Sequence, residues 1–78
     1  KHKQANKMEA ITAPMPGKII ELLVEESASV KEGEAILILE AMKMQNEILA
    51  QVSGKVKKIH VKAGDSVTKD DVLMEIER

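Results

Sequence analysis

The chain has 78 residues, a formal net charge of −1, and no cysteine, phenylalanine, tyrosine or tryptophan. This length predicts one domain with a modest core, which must be built from aliphatic side chains. Without cysteine there are no disulfides, thiolate metal sites or thiol nucleophiles, and without aromatic rings there is no platform for stacking single-stranded bases. The near-neutral charge argues against nucleic-acid partners and direct membrane contact, and no apolar run approaches the ~20 residues of a membrane span.

The chain opens with a segment, residues 1–8, whose polar and small side chains show no periodicity. We interpret it as the remnant of a linker, followed by one domain over residues 9–78. The domain begins with a predicted strand over residues 9–13 and a loop, Pro14-Met15-Pro16-Gly17. The two prolines fix two φ angles, so the loop should be rigid, and Gly17 should allow a tight reversal through a positive φ.

Two later segments, residues 17–24 and 54–61, both have the pattern of a strand in which the apolar residues are spaced three apart and then two apart. This shared break in strict alternation predicts a β-bulge at the same place in each segment. The same offset of 37 aligns Ala13 with Ala50, Gly17 with Gly54, Ser29-Val30 with Ser66-Val67, and Glu40 with Glu77. The sequence therefore predicts an internal duplication of a four-strand unit, and hence a pseudo-twofold domain.

The remaining elements are short strands around Val30 and Val67 and longer ones over residues 36–41, 45–50 and 72–77. Short strands separated by turns every eight to twelve residues indicate an all-β sandwich or barrel. The main alternative is a helix over residues 18–26. The strand-favouring apolar residues that follow Gly17 argue against this helix.

Strands 36–41 and 45–50 predict a β-hairpin with Met42-Lys43 at its turn. Such two-residue turns prefer Asn-Gly, because the type I′ turn needs a positive φ at both central residues, which costs about 1 kcal/mol for each ordinary residue. Lys43 could be an ordinary surface lysine, one of eleven lysines in the chain. However, a turn whose residues are not those that its conformation prefers indicates a functional requirement at that place. Met42 and Met44 should be exposed and available to a partner, whereas Met74 should lie in the core.

No other group of residues suggests catalysis or metal binding. His2 and His60 have no second ligand at metal spacing, and the adjacent carboxylates Glu25-Glu26 and Asp70-Asp71 are accompanied by no nucleophile. We expect these side chains to be solvated. We therefore predict that the chain has no catalytic activity by itself.

The segment Glu40-Ala41-Met42-Lys43-Met44 resembles the attachment motif of biotin carboxyl carrier domains, in the biotin/lipoyl attachment family. Pro14, Met15, Pro16 and Gly17 resemble the proline-glycine loop that lies near the attachment hairpin in that family. The resemblance covers residues 9–78. It implies a flattened β-barrel (a barrel-sandwich hybrid) of two four-stranded antiparallel sheets, with the modified lysine at one end and both termini at the other.

The resemblance also implies a function, in which biotin is joined to Lys43 through an amide. Partner enzymes would recognise the surrounding motif residues Glu40, Ala41, Met42 and Met44. A biotin protein ligase would attach the cofactor. Lys43 would then carry a swinging arm that takes a carboxyl group from a biotin carboxylase to a carboxyltransferase or decarboxylase. The location implied is the cytoplasm, or the mitochondrial matrix in a eukaryote.

The resemblance leaves the parent enzyme open, and two alternatives to a biotin carrier remain. Some family members involved in acetyl-CoA carboxylation carry an inserted "thumb" between the second and third strands, and residues 25–29 leave no room for one. This favours a pyruvate, propionyl-CoA or acyl-CoA carboxylase, or a decarboxylase. The family's lipoyl carriers usually have Asp before the lysine and lack the paired methionines. An unmodified barrel-sandwich module used for assembly is the remaining alternative.

Overall fold

The computed structural model describes residues 7–78. The predicted linker, residues 1–8, lies outside these residues except for its last two, and Met8 begins the first strand. The strands are β1 (Met8–Thr12), β2 (Gly17–Leu22), β3 (Ser29–Val30), β4 (Ala35–Ala41), β5 (Met44–Leu49), β6 (Gly54–Ile59), β7 (Ser66–Val67) and β8 (Val72–Glu77).

The eight strands form two four-stranded antiparallel sheets with the orders β1-β8-β6-β3 and β5-β4-β2-β7. Each strand of the first sheet is replaced in the second sheet by the equivalent strand of the other copy: β1 by β5, β8 by β4, β6 by β2 and β3 by β7. This is the pseudo-twofold relation that the duplication predicts, so the all-β fold with two four-stranded sheets is confirmed. The segment 18–26 contributes strand β2 and turns, and no helix occurs between residues 7 and 78.

The predicted β-bulges lie at equivalent positions of the two copies. The register between β2 and β4 shifts between Ile19 and Glu21, and the register between β6 and β8 shifts between Val56 and Lys58. In each copy one extra residue on the bulged strand interrupts the two-residue alternation, which explains the apolar spacing of three. The prediction of a bulge in place of a helix is confirmed.

Turns of one copy bond to strands of the other, which ties the two halves together. The backbone N–H of Ser27 donates to the carbonyl of Val56 at 2.7 Å, and that of Gly64 donates to the carbonyl of Ile19 at 2.7 Å. Ser27 and Gly64 are equivalent in the duplication, and both have a positive φ, of 79° and 97°. Neither half could keep these bonds if the other were absent.

The core lies between the two sheets and is aliphatic, as the composition requires. Met74 is fully buried, which confirms its predicted place in the core. Each fully buried aliphatic side chain of this size contributes roughly 1.5–3 kcal/mol relative to an exposed one. The buried cluster comprises Ile11, Ala13, Ile19, Val30, Ile36, Leu37, Leu39, Ala50, Val56, Val67, Leu73, Met74 and Ile76.

The expected reason for glycine at position 17, a positive φ, is wrong. The glycines with a positive φ are Gly33 and Gly64, whereas Gly17 and its equivalent Gly54 begin strands β2 and β6. A Cβ atom at Gly17 would overlap the carbonyl oxygen of Glu40, and a Cβ at Gly54 would overlap that of Glu77. Glycine is needed here because two strand backbones approach closely.

Candidate functional site

Lys43 lies at the tip of the hairpin that joins the two copies of the repeat. Strands β4 and β5 pair up to Ala41 and Met44, so Met42 and Lys43 are the two residues of the turn. Their φ angles are 54° and 65°. These values confirm the expected left-handed conformation at both positions, a conformation that ordinary residues adopt at a cost of about 1–2 kcal/mol each.

The base of the hairpin is held firmly by the sheet. Ala41 is buried, and Glu40 pairs with Gln45 on β5 and with Lys18 on β2. The Asn46 side-chain amide donates to the carbonyl of Met44 at 3.3 Å. The turn therefore extends from a paired and anchored base, and its position relative to the barrel is well defined.

The tip itself projects into solvent. The side chain of Met42 is 90% exposed and that of Met44 is 64% exposed, as expected from the sequence. Lys43 is exposed, and its amine forms no hydrogen bond or ion pair with any residue between 7 and 78. A primary amine in this setting can be approached by another enzyme without any rearrangement of the barrel.

The proline-glycine loop is only partly associated with this tip. Gly17 lies against the backbone of Glu40 at the hairpin base, and Met15 is half-buried and packs against the core. Pro14 and Pro16 are exposed. The structure thus brings Gly17 to the site, whereas Met15 has a packing role that the sequence reasoning did not anticipate.

A groove of about 450 Å³ lies away from the tip, where Thr12 and Pro14 face the end of strand β5. Neither Met42 nor Lys43 lines it. The candidate site is therefore a protrusion and not a pocket, an arrangement suited to being bound by a partner.

The remaining candidate residues do not come together as a metal site within residues 7–78. His60 lies after strand β6, and its Nε2 is 2.9 Å from the Glu75 carboxylate, a contact not anticipated from the sequence. No group of three His, Cys, Asp or Glu side chains in the described part of the chain is placed to hold a metal ion. His2 lies outside the residues that the structure describes. Residues 7–78 include no helix capable of spanning a membrane.

The family model of biotin-requiring enzymes, Biotin_lipoyl, matches residues 9–76. The propionyl-CoA carboxylase alpha chain of Sus scrofa, named as mitochondrial, is 48% identical over 83% of this chain. The biotin carboxyl carrier protein of Streptococcus mutans is 44% identical over 92% of the chain. A solved structure of a single-chain, multi-domain long-chain acyl-CoA carboxylase covers the whole chain with a TM-score of 0.87 at 27% identity.

These relatives are all longer than this chain. The chain spans 9% of the Sus scrofa protein, 55% of the Streptococcus mutans protein and 8% of the acyl-CoA carboxylase chain. The names of the relatives refer to carboxylases and to a biotin carboxyl carrier, which favours biotin over the lipoyl alternative. The chain belongs to the family of biotin and lipoyl attachment domains, as a non-catalytic biotin carboxyl carrier domain whose cofactor is covalently bound biotin.

Proposed function

We propose that Lys43 is the residue to which biotin is attached. Its exposed amine at a protruding tip, with no partner among residues 7–78, supports this proposal. So does the motif around it, from Glu40 to Met44. After losing one proton, the amine would act as the nucleophile toward the carboxyl carbon of biotin activated as its adenylate. A C–N bond would form, AMP would leave, and the nitrogen would give up a second proton, so that a neutral amide replaces the charged amine.

The chain's own contribution to the reaction is to hold and deliver the cofactor. Biotin, when bound, supplies a ring nitrogen that accepts a carboxyl group and later gives it up. The anchored hairpin base at Glu40 and Ala41 fixes where the arm starts, and the flexible lysine side chain gives it reach. Tethering makes transfer between two active sites an intramolecular event, at effective concentrations of about millimolar order for short flexible linkers.

We also propose the partners of this carrier. A biotin protein ligase would recognise the tip through the exposed methionines Met42 and Met44, whose flexible thioethers adapt to a binding surface. A biotin carboxylase would load the arm, and a carboxyltransferase or decarboxylase would unload it. The names of the relatives are those of carboxylases, which supports a biotin carboxylase and a carboxyltransferase as the catalytic partners.

The parent enzyme we propose is an acyl-CoA, propionyl-CoA or pyruvate carboxylase. Strands β2 and β3 are joined by a short connection, residues 23–28, so the domain has no thumb insertion at that place. The similarity to a propionyl-CoA carboxylase alpha chain supports the same choice. On this proposal the residues that precede strand β1 belong to the tether of the domain, and the compartment is the cytoplasm or, in a eukaryote, the mitochondrial matrix.

Intact-mass measurement after incubation with a biotin protein ligase, ATP and biotin tests the attachment site. We expect a single addition of about 226 Da, the mass of one biotin amide. Lys43→Arg should abolish it while changing the free energy of unfolding by less than about 0.5 kcal/mol, because the tip is exposed. Lys69→Arg, at a different exposed turn, is the matched control and should be labelled fully. A labelled Lys43→Arg protein would refute the assignment.

A further inference from the structure

The two outer faces of the barrel differ, although the duplication makes their positions comparable one by one. On the outer face of the β1-β8-β6-β3 sheet, Lys57 lies 3.9 Å from Glu77 and His60 lies 2.9 Å from Glu75. At the equivalent positions of the β5-β4-β2-β7 sheet, Ile20 replaces Lys57, Leu23 replaces His60 and Ile38 replaces Glu75. We call these three residues the apolar patch.

The apolar patch is not part of the core. Leu23 is 41% exposed, and Ile20 and Ile38 are half-buried but do not pack against the buried cluster. The fold does not require apolar residues there, because the other copy of the repeat has charged or polar residues at the same three positions. Three apolar side chains grouped on one outer face, at positions where the other copy is charged or polar, indicate a contact with another molecule.

The charges around the apolar patch indicate what kind of molecule this is. Ile38 is paired across the sheet with Glu21 on β2 and with Glu47 on β5, and both carboxylates are exposed. Within residues 7–78 neither carboxylate forms an ion pair. Such unneutralised charge at the rim of an apolar centre is complementary to lysine and arginine on a partner.

The net charges of the two outer faces have opposite signs. On the face with the patch, Lys18 is outnumbered by Glu21, Glu40 and Glu47, a net charge of −2. On the opposite face, the lysines of β6 outnumber the acidic residues of β8 by one, counting Lys55, Lys57 and Lys58 against Glu75 and Glu77. A basic partner would therefore favour the face with the apolar patch and be repelled by the other.

We propose that the outer face of the β5-β4-β2-β7 sheet, centred on the apolar patch, docks the domain onto a protein surface that has an apolar centre and a basic rim. This rests on the proposed function, because the partner we infer is the biotin carboxylase component of the same carboxylase. The face belongs to the sheet that holds the hairpin of Lys43. Docking through it fixes the direction in which the tip points.

The size of the patch fits a carrier that must leave one site for another. Three aliphatic side chains with an acidic rim make a contact well below the ~1,200–2,000 Å² of stable complexes. Small interfaces of this kind are typical of transient encounters. Attraction between opposite charges raises the association rate, while the small apolar area keeps dissociation fast.

Replacing the apolar patch with polar side chains tests the proposal. The variant Ile20→Lys, Leu23→His, Ile38→Gln places polar side chains at three positions where the other copy is also polar, so it should fold. Glutamine is used at position 38 because a glutamate there would lie opposite both Glu21 and Glu47. After biotinylation of Lys43, it is offered as the carrier to the purified biotin carboxylase component. We expect KM for the carrier to rise at least five-fold and kcat to stay within two-fold. The control, His60→Ala with Glu75→Ala on the opposite face, should leave both constants within two-fold.

The outcomes separate this proposal from the proposed function. If the parent chain is not biotinylated at Lys43, the proposed function fails. If the triple variant is biotinylated normally and its KM stays within two-fold of the parent, the docking surface is refuted. We expect Glu21→Gln with Glu47→Gln to raise KM two- to five-fold. A KM that is unchanged or lower would refute the inferred basic rim of the partner.

Site-specific cross-linking gives a second measurement that does not depend on the triple variant. The chain has no cysteine, so Leu23→Cys and His60→Cys each introduce a unique thiol at equivalent positions of the two faces. With a photoreactive maleimide at each thiol, we expect position 23 to cross-link to the biotin carboxylase component at least five-fold more than position 60. Equal yields, or a higher yield at position 60, would refute the proposal.

Discussion

The two copies of the repeat meet the same backbone requirements with different residues, whereas the hairpin between them has no counterpart among residues 7–78. Positive φ angles occur at Ser27 in the first copy and Gly64 in the second, and at Gly33 in the first and Asp70 in the second. In each pair one copy has glycine and the other does not. The comparison separates what the fold demands, which appears twice, from what function demands, which appears once.

The same comparison applies to the two ends of the barrel. One end has the turn at Lys43, and the other has the paired chain ends, where the backbone N–H of Arg78 donates to the carbonyl of Lys7 at 2.9 Å. The close approach of Gly17 to Glu40 at the first end is repeated by Gly54 and Glu77 at the second. The approach therefore belongs to the fold, and only the exposed lysine turn is particular to the functional end.

The largest expected effect concerns these two close approaches. Gly17→Val and Gly54→Val should each lower the free energy of unfolding by about 2–4 kcal/mol, because the new Cβ would overlap a strand carbonyl. Urea denaturation of both variants measures this. Gly33→Ala is the control, since its site is open and only its φ of 91° is unfavourable, and it should lose about 1 kcal/mol. A free energy of unfolding within about 0.5 kcal/mol of the parent for either valine variant would contradict the close-approach explanation.

The next effect concerns the turn that has no counterpart. Replacing Met42 and Lys43 by Asn and Gly should raise the free energy of unfolding by about 2 kcal/mol, because these residues adopt left-handed conformations more readily. The variant should no longer be biotinylated. Chemical denaturation combined with intact mass provides both readouts. Unchanged stability would mean that the native turn carries no conformational strain.

A smaller gain is expected where one copy lacks glycine. Ser27→Gly should stabilise the chain by about 1 kcal/mol and Asp70→Gly by about 0.5 kcal/mol, since aspartate tolerates the left-handed region better than serine does. Thermal denaturation would detect both changes. If either glycine variant were less stable than the parent, the side chain at that position would have a role that the other copy does not share.

The smallest effect on stability is expected at the exposed methionines. Met42→Leu and Met44→Leu should change the free energy of unfolding by less than about 0.5 kcal/mol, because both side chains lie in solvent. The rate of biotinylation or of carboxyl transfer should nevertheless fall roughly three- to ten-fold, or about 0.7–1.4 kcal/mol. Met8→Leu, on strand β1 and also exposed, is the control. If both rates were unchanged, the methionines would be incidental to recognition.

Much of the fold could be predicted because the duplication provides each strand with a second example. The bulges near Ile20 and Lys57 were predicted from an interruption of the apolar alternation that occurs twice. The buried position of Met74 and the left-handed turn at Met42 and Lys43 also follow from the sequence pattern. These features depend on local periodicity and on the residues of the turn, both of which can be read from a single sequence.

What could not be predicted depends on contacts between segments distant in sequence. The need for glycine at position 17 arises from the carbonyl of Glu40, and no local pattern shows that these backbones approach each other. Similarly, the half-buried positions of Ile20 and Ile38 outside the core depend on the sheet register, and the sequence reasoning did not identify them. The positive φ at Ser27 was missed because serine gives no signal for it.

The pairing of Lys7 with Arg78 has a consequence for protein engineering. Since Met8 and Glu77 are antiparallel partners, the chain enters and leaves the barrel as two adjacent strands. A loop of an unrelated host could therefore accept the whole domain with little separation of the host's own backbone. If Lys43 is modified as proposed, such a graft would display an enzymatically addressable label at the far side of a rigid spacer.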